Sequence, residues 1–378
     1  MQHAKRLLLA GLCLLLFFAL VACDGGQSTP PGGDPGGQEA EQTATAAELM
    51  RSVMALTCTL QNKQGGTVAT SDGSAVIVQI EEDGTAYLLT NFHVVHNSYA
   101  GEDAVCSQIK AAPAGAEQGE GMEAACLWYA KDYDLALLRV SNLTDSFPGA
   151  AAVRIAIDEA NVGDRIYAVG NTRGLGISVH EGAVSRAYDY VELPVTYQSS
   201  SITLRLVRFD GFVAKGDSGG ALFSSDGSLL GIVNARQTDN GGGYAIPVST
   251  VWPITEKLLS SADTEPTADC LYFGATLRER VLSTEYDAET GALRNICEVY
   301  VDSLAHGSVA SAFLSEEDVL LSISVNGGRE IGILRMHHAT DTWLCVSADD
   351  TLTLRFLRNG KEKIYTFTVA SSHTQPIK

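Results

Sequence analysis

Gly216-Asp217-Ser218-Gly219-Gly220 is the stretch that decides the reading, because of what precedes it: Thr90-Asn91-Phe92-His93-Val94-Val95 and Asp134-Leu135-Ala136-Leu137-Leu138. A nucleophilic serine needs a base to take its proton and an acid to orient that base. It must also sit on a glycine-rich turn whose backbone N–H groups face a developing oxyanion, and Gly216 and Gly219 permit the backbone angles of such a nest. Ser218 is the candidate nucleophile, His93 the base and Asp134 the acid, separated by 41 and 84 residues in the order His, Asp, Ser. The N–H groups of Gly216 and Ser218, with Asp217 between them, are the candidate oxyanion hole. Asp132 is the decoy for Asp134, which directly precedes the apolar run. His96 lacks the motif position and reads as a surface or capping residue.

Outward from the motifs, short strand-like runs dominate from Glu48 to about Leu259, punctuated by Asp72-Gly73, Asp83-Gly84 and Asp226-Gly227 as hairpin turns require. The chain is therefore mainly β, a barrel or sandwich, with a closing helix from Pro247 to Ser260. Residues 261–268 read as a linker, and residues 269–372 as an α+β module with short helices at Ser308–Leu314 and Gly332–Ala339.

The N-terminus reads as an address. Lys5 and Arg6 precede an apolar run, Leu7 to Ala22, that is short for a spanning helix and right for a secretory segment. Residues 1–22 are thus a signal peptide, and the Gly-, Pro- and Thr-rich residues 23–47 a flexible tether. A net charge of -19, from 26 basic and 45 acidic residues, repels phosphate backbones and excludes nucleic acid as a partner. Six cysteines besides Cys13 and Cys23 favour disulfides in an exported protein, with Cys106–Cys126 the expected pair because both lie on neighbouring strand-like runs. No CxxC or paired Cys/His spacing points to a metal, and no cofactor is expected.

With the triad motifs, Gly170-Asn171-Thr172-Arg173-Gly174-Leu175, Glu181-Gly182-Ala183-Val184-Ser185 and Gly243-Tyr244-Ala245-Ile246-Pro247 make residues 48–260 resemble the HtrA/Deg family of trypsin-like serine proteases. The resemblance implies two perpendicular six-stranded barrels with the active site between them, a serine endopeptidase acting on unfolded or misdelivered exported proteins, and assembly as a homotrimer. The C-terminal module resembles that family's PDZ domains, with Tyr272-Phe273-Gly274-Ala275 as the loop that takes a peptide's terminal carboxylate. Leu20-Val21-Ala22-Cys23 resembles a bacterial lipobox, which implies lipidation of Cys23 and a membrane anchor on the extracytoplasmic face. The family usually carries Asn before the serine, where this chain has Asp217; a loop arginine, Arg173 or Arg186, is its expected partner. Phe212 stands where trypsins hold the acid of the specificity pocket. Together with Asn234 and Ala235 it makes a pocket for small or medium apolar side chains the expectation. The rival reading is a non-catalytic peptide-binding or chaperone protein on the same scaffold.

Overall fold

The computed structural model describes residues 43–116, 120–195, 197–198, 201–237, 242–262, 266–287 and 292–377. The expected signal segment, Cys23 and most of the tether lie outside the described residues. The first helix, α1 (Ala46–Met50), starts inside the stretch expected as tether, because Thr45 and Glu48 cap each other's backbone amides reciprocally.

Six antiparallel strands then close on themselves: β1 (Val53–Gln61), β2 (Thr67–Ile80), β3 (Ala86–Thr90), β4 (Gln108–Ala112), β5 (Met122–Ala130) and β6 (Leu135–Val140), in the order β1-β2-β3-β6-β5-β4. Closure leaves no unpaired edge. The short helices α2 (Phe92–Val95) and α3 (Leu143–Ser146) follow β3 and β6. A second ring uses β7 (Arg154–Ile155), β8 (Arg165–Asn171), β9 (Ile177–Leu193), β10 (Ile202–Asp210), β11 (Ala221–Ser224), β12 (Ser228–Arg236) and β13 (Gly243–Pro247). Its order is β11-β8-β9-β10-β13-β12-β7, and a β11–β12 pairing closes six of the seven. Helix α4 (Val248–Ser260) follows, as the sequence predicts. One apolar cluster runs from Val53 and Leu88 of the first ring to Phe223, Ile232 and Val251 beside the second, so the rings share a core.

The C-terminal module carries β14 (Asp269–Leu271), β15 (Ala275–Asp287), β16 (Ala292–Leu304), β17 (Val319–Val325), β18 (Ile331–Gly332), α5 (Met336–Cys345), β19 (Thr351–Arg358), β20 (Lys361–Thr368) and β21 (Thr374–Pro376). Its sheet runs β15-β16-β17-β19-β20 with β18 on β17, around Val299, Ile323 and Leu354. Here the structure departs from the sequence reading. The expected helix from Gly332 starts four residues later, because Ile331–Gly332 pairs with β17 and Arg335 is the extended N-cap. The expected Ser308–Leu314 helix is one 3-10 turn, Ala310–Ala312. The chain also continues past residue 372, pairing β21 with β14.

The expected Cys106–Cys126 bridge is not formed. All six described cysteines are free, and the sulfur that Cys106 meets by hydrogen bond is that of Cys58. Cys106 lies before β4, across a bend at Ser107, and its N–H donates to Val95 O at 2.8 Å, so it is not on the β4–β5 ladder that leads to Cys126. His96 is buried rather than on the surface, and it is the capping residue that the sequence offers as the other choice: it ends α2, its backbone N–H donating to Phe92 O at 2.9 Å. Its Nε2 lies 2.9 Å from the Gly101 carbonyl oxygen, and its ring packs on Phe92 and Tyr197.

Candidate active site

β3 and β6 pair from Ala86↔Val140 to Thr90↔Ala136, so the end of one and the start of the other meet at the same rim of the first barrel. His93, one turn past β3, is thereby set against Asp134, which immediately precedes β6. His93 Nδ1 lies 2.6 Å from Asp134 Oδ2, and the His93 backbone N–H donates to Oδ1 at 2.9 Å. Asp134 is buried in a left-handed conformation (φ 50°), and its carbonyl accepts from Phe92 N–H and Asn91 Nδ2. Asn234 Nδ2 also donates to Asp134 Oδ2, at 2.7 Å. A carboxylate held in this way fixes the imidazole with its proton on Nδ1 and leaves Nε2 as the base. Burial works against the charged imidazole, but the charge and hydrogen bond of Asp134 outweigh it and raise the His93 pKa above its ordinary 6.5. Asp132, the decoy, is exposed.

The serine loop joins β10 to β11. Gly216 (φ 99°) and Gly219 (φ 84°) are both left-handed, and a Cβ on either would lie 2.1 Å from a backbone oxygen, of Asn171 and Ser74 respectively. Ser74, on β2 of the first barrel, ties the loop down. Its Oγ donates to Gly216 O at 2.7 Å, its N–H donates to Ser218 O at 2.9 Å, and its Oγ accepts from Asn171 N–H at 2.8 Å.

Asp217 finds no arginine, contrary to the sequence expectation. Its oxygens accept from Thr172 Oγ1 and Ala214 N–H, each at 2.7 Å, and burial raises its pKa. Arg186 pairs with Asp189 instead, and the Arg173 guanidinium lies over the Phe212 ring at 5.5 Å. What Arg173 gives the loop is its backbone N–H, which donates to Lys215 O at 2.7 Å. In a trans peptide this turns the Gly216 N–H to the opposite side. The Asp217 N–H donates to Ala214 O, and among the described residues the Gly216 and Ser218 N–H groups have no partner, which leaves them as the candidate oxyanion amides. Ser218 Oγ itself donates to Asn234 O at 3.1 Å rather than to His93.

A cavity of about 440 Å³ beside Ser218 is lined by Phe212, Val213 and Ala214 together with Arg173, Lys215 and Arg236. Phe212 is there as expected; the three cations are not foreseen. Asn234 and Ala235 are absent from its lining, and buried Asn234 braces Asp134 and Ser218 instead. In the C-terminal module, Tyr272, Phe273, Gly274 and Ala275 form the β14–β15 junction. Phe273 is buried against Trp343 and Phe313, Gly274 is left-handed (φ 75°), and Tyr272 N–H donates to His373 O. Glu279 on β15, an edge strand, reaches Arg335 at 3.2 Å and Met336 N–H at 2.8 Å, bridging that edge to the start of α5.

Residues 73–232 match the family described as the trypsin-like peptidase domain. The chain is 28% identical over 305 residues to the serine protease Do-like HtrA of Bacillus subtilis (strain 168), covering 77% of this chain and 61% of that protein. It is 28% identical over 298 residues to the periplasmic serine endoprotease DegP of Escherichia coli (strain K12), covering 77% and 55%. It thus spans less than two thirds of either relative. Among solved structures, the HtrA-type protease AlgW with tripeptide superposes with a TM-score of 0.57 at 23% identity, over 88% of this chain and 97% of that one. The architecture is therefore a two-barrel trypsin-like domain followed by a smaller α+β module. No helix among the described residues is long and apolar enough to cross a membrane.

Proposed function

We propose that this chain is a serine endopeptidase held by a lipid on Cys23 at the extracytoplasmic face of a membrane, cleaving unfolded or misdelivered exported proteins. The observation that carries the reading is the 2.6 Å His93–Asp134 contact, set across from a serine loop whose two left-handed glycines tolerate no side chain. Ser218 Oγ turns from Asn234 O to His93 Nε2, gives up its proton there, and attacks the peptide carbonyl. The amides of Gly216 and Ser218 receive the oxyanion. His93 then protonates the leaving amine, and water, activated by the same imidazole, hydrolyses the acyl-enzyme. The part of residues 23–47 that precedes Ala44 serves as the tether, and the loop at Phe273–Gly274 takes substrate C-termini beside β15. Assembly as trimers follows from the family resemblance alone.

A second reading, a peptide-binding protein with a resting site, is favoured by one observation: the Ser218 hydroxyl is engaged by Asn234 O. Cleavage of reduced casein by the chain, run beside Ser218→Ala, decides between the two. The endopeptidase reading expects fragments that vanish in the variant. Intact casein with both proteins, even with C-terminal peptides added, would leave the binding reading.

A further inference from the structure

We propose that the cavity beside Ser218 selects an acidic side chain of its peptide, held by Arg173, Lys215 and Arg236. The word substrate here rests on the endopeptidase reading; the binding chemistry does not. Phe212, Val213 and Ala214 supply an apolar wall that accepts the methylene stem of a side chain, and no carboxylate among the described residues lines the cavity. In a chain with 26 basic against 45 acidic residues, three cations meeting without an acid run against the overall balance.

Four arginines of the same barrel, Arg154, Arg165, Arg186 and Arg205, each hold a carboxylate, whereas Arg173, Lys215 and Arg236, like Arg208 of β10, form no ion pair among the described residues. Nor is Arg173 free to wander. Its turn is left-handed (φ 60°) and its backbone is tied to Lys215 O. Its guanidinium lies over Phe212, whose ring also faces His180 at 5.1 Å. Two acids lie near: Asp217 is buried in the loop with its oxygens taken by Thr172 and Ala214, and Asp72, whose carboxylate faces Gly174 beside Arg173, stands outside the cavity lining. The cavity beside Ser218 is therefore rimmed by three exposed cations, of which Arg173 is held in place over Phe212. An incoming Glu or Asp gains charge-assisted hydrogen bonds there, while an incoming Lys meets like charge.

The test uses the full chain carrying Ser218→Ala and fluorescein-labelled peptides that differ only at one central residue: Glu, Gln, Leu or Lys. Amidated C-termini deny the C-terminal module a carboxylate. The Glu peptide is expected to bind about 10-fold more tightly than its Gln isostere, the gain of one charge-assisted bond. That margin should shrink as salt is raised, and Arg236→Glu in the same background should reverse it in favour of Lys. Equal dissociation constants for Glu and Gln, binding of no peptide at all, or a preference untouched by both Arg236→Glu and Lys215→Glu would overturn the proposal. Cleavage of the same peptides by the unsubstituted chain reports separately on the endopeptidase reading. Tight Glu binding without cleavage would sink that reading and leave this one standing.

Discussion

His93 carries two opposing influences, burial against the charged ring and Asp134 in favour of it, and the carboxylate wins. The folded pKa therefore lies above 6.5, and activity is expected to rise with pH through a midpoint above that value, as the base form appears. The sign for stability follows from the same shift. The His93⁺–Asp134⁻ interaction is fully present below pH 6.5 and is lost as pH rises through the folded pKa. Asp134→Asn removes the counter-charge and leaves the burial, so the midpoint should fall below that of the unsubstituted chain. The rate should drop about 10⁴-fold, because Asn no longer fixes the productive tautomer. Rates measured from pH 5 to 9 on both proteins check this; a profile that does not move would mean that another group titrates. The three residues proposed as the triad stand out in the sequence because each sits inside a contiguous motif that carries its own turn. Asn234 is not legible as their partner. It arrives from β12 of the other barrel, and only the fold makes it donate to Asp134 at 2.7 Å.

The serine loop depends on elements far from it in sequence. Ser74 on β2 and the Thr172–Gly174 turn after β8 hold it from two sides. A cation for Asp217 is a fair sequence expectation for a buried acid, but neutral donors suffice here. The left-handed Arg173 points its side chain at Phe212 and offers the loop only its amide. Thr172→Val deletes one of the two hydrogen bonds to the buried Asp217 carboxylate, at a cost of about 1–3 kcal/mol. The loop that carries the oxyanion amides should loosen, so kcat is expected to fall more than KM rises. Thr172→Ser, which keeps the hydroxyl, should recover most of the loss. If Val and Ser behave alike, the hydroxyl does not brace the loop. The Cys106–Cys126 expectation failed at this scale for a related reason. Composition and approximate strand positions are readable, but strand ends are not: Cys106 falls two residues short of β4 and its amide pairs with Val95 O instead.

The second barrel and the C-terminal module meet on a charged cluster that their separate sequences do not announce. Arg205 of β10, 7% exposed at its side chain, pairs with Asp341 of α5 and with Glu159, and donates to Ser249 and Thr250 of α4. The His337 imidazole, buried and not solvated as adjacent histidines on a short helix suggest, faces Glu159 at 3.5 Å. The two carboxylates respond oppositely to pH. Burial raises Asp341 more than Arg205 lowers it, so acidification through its folded pKa relieves the junction. Glu159 would also be raised by burial, but His337, Arg205 and Ser249 bring it to about 2. Its contribution is present above about pH 4.5 and is lost as pH falls toward 2. Near neutrality the junction therefore hangs on Arg205. Arg205→Met strands the Asp341 carboxylate between the modules and is expected to cost about 3 kcal/mol. Adding Asp341→Leu removes the stranded charge and should return most of that loss, because an apolar pair of similar size replaces an ion pair at little net cost. Urea midpoints for the single and double variants measure both steps. A single variant within about 0.5 kcal/mol of the parent, the ordinary range for surface changes, would mean that apolar contacts alone dock the module. A double variant no better than the single would mean that Arg205 acts through Glu159 and α4 rather than through Asp341.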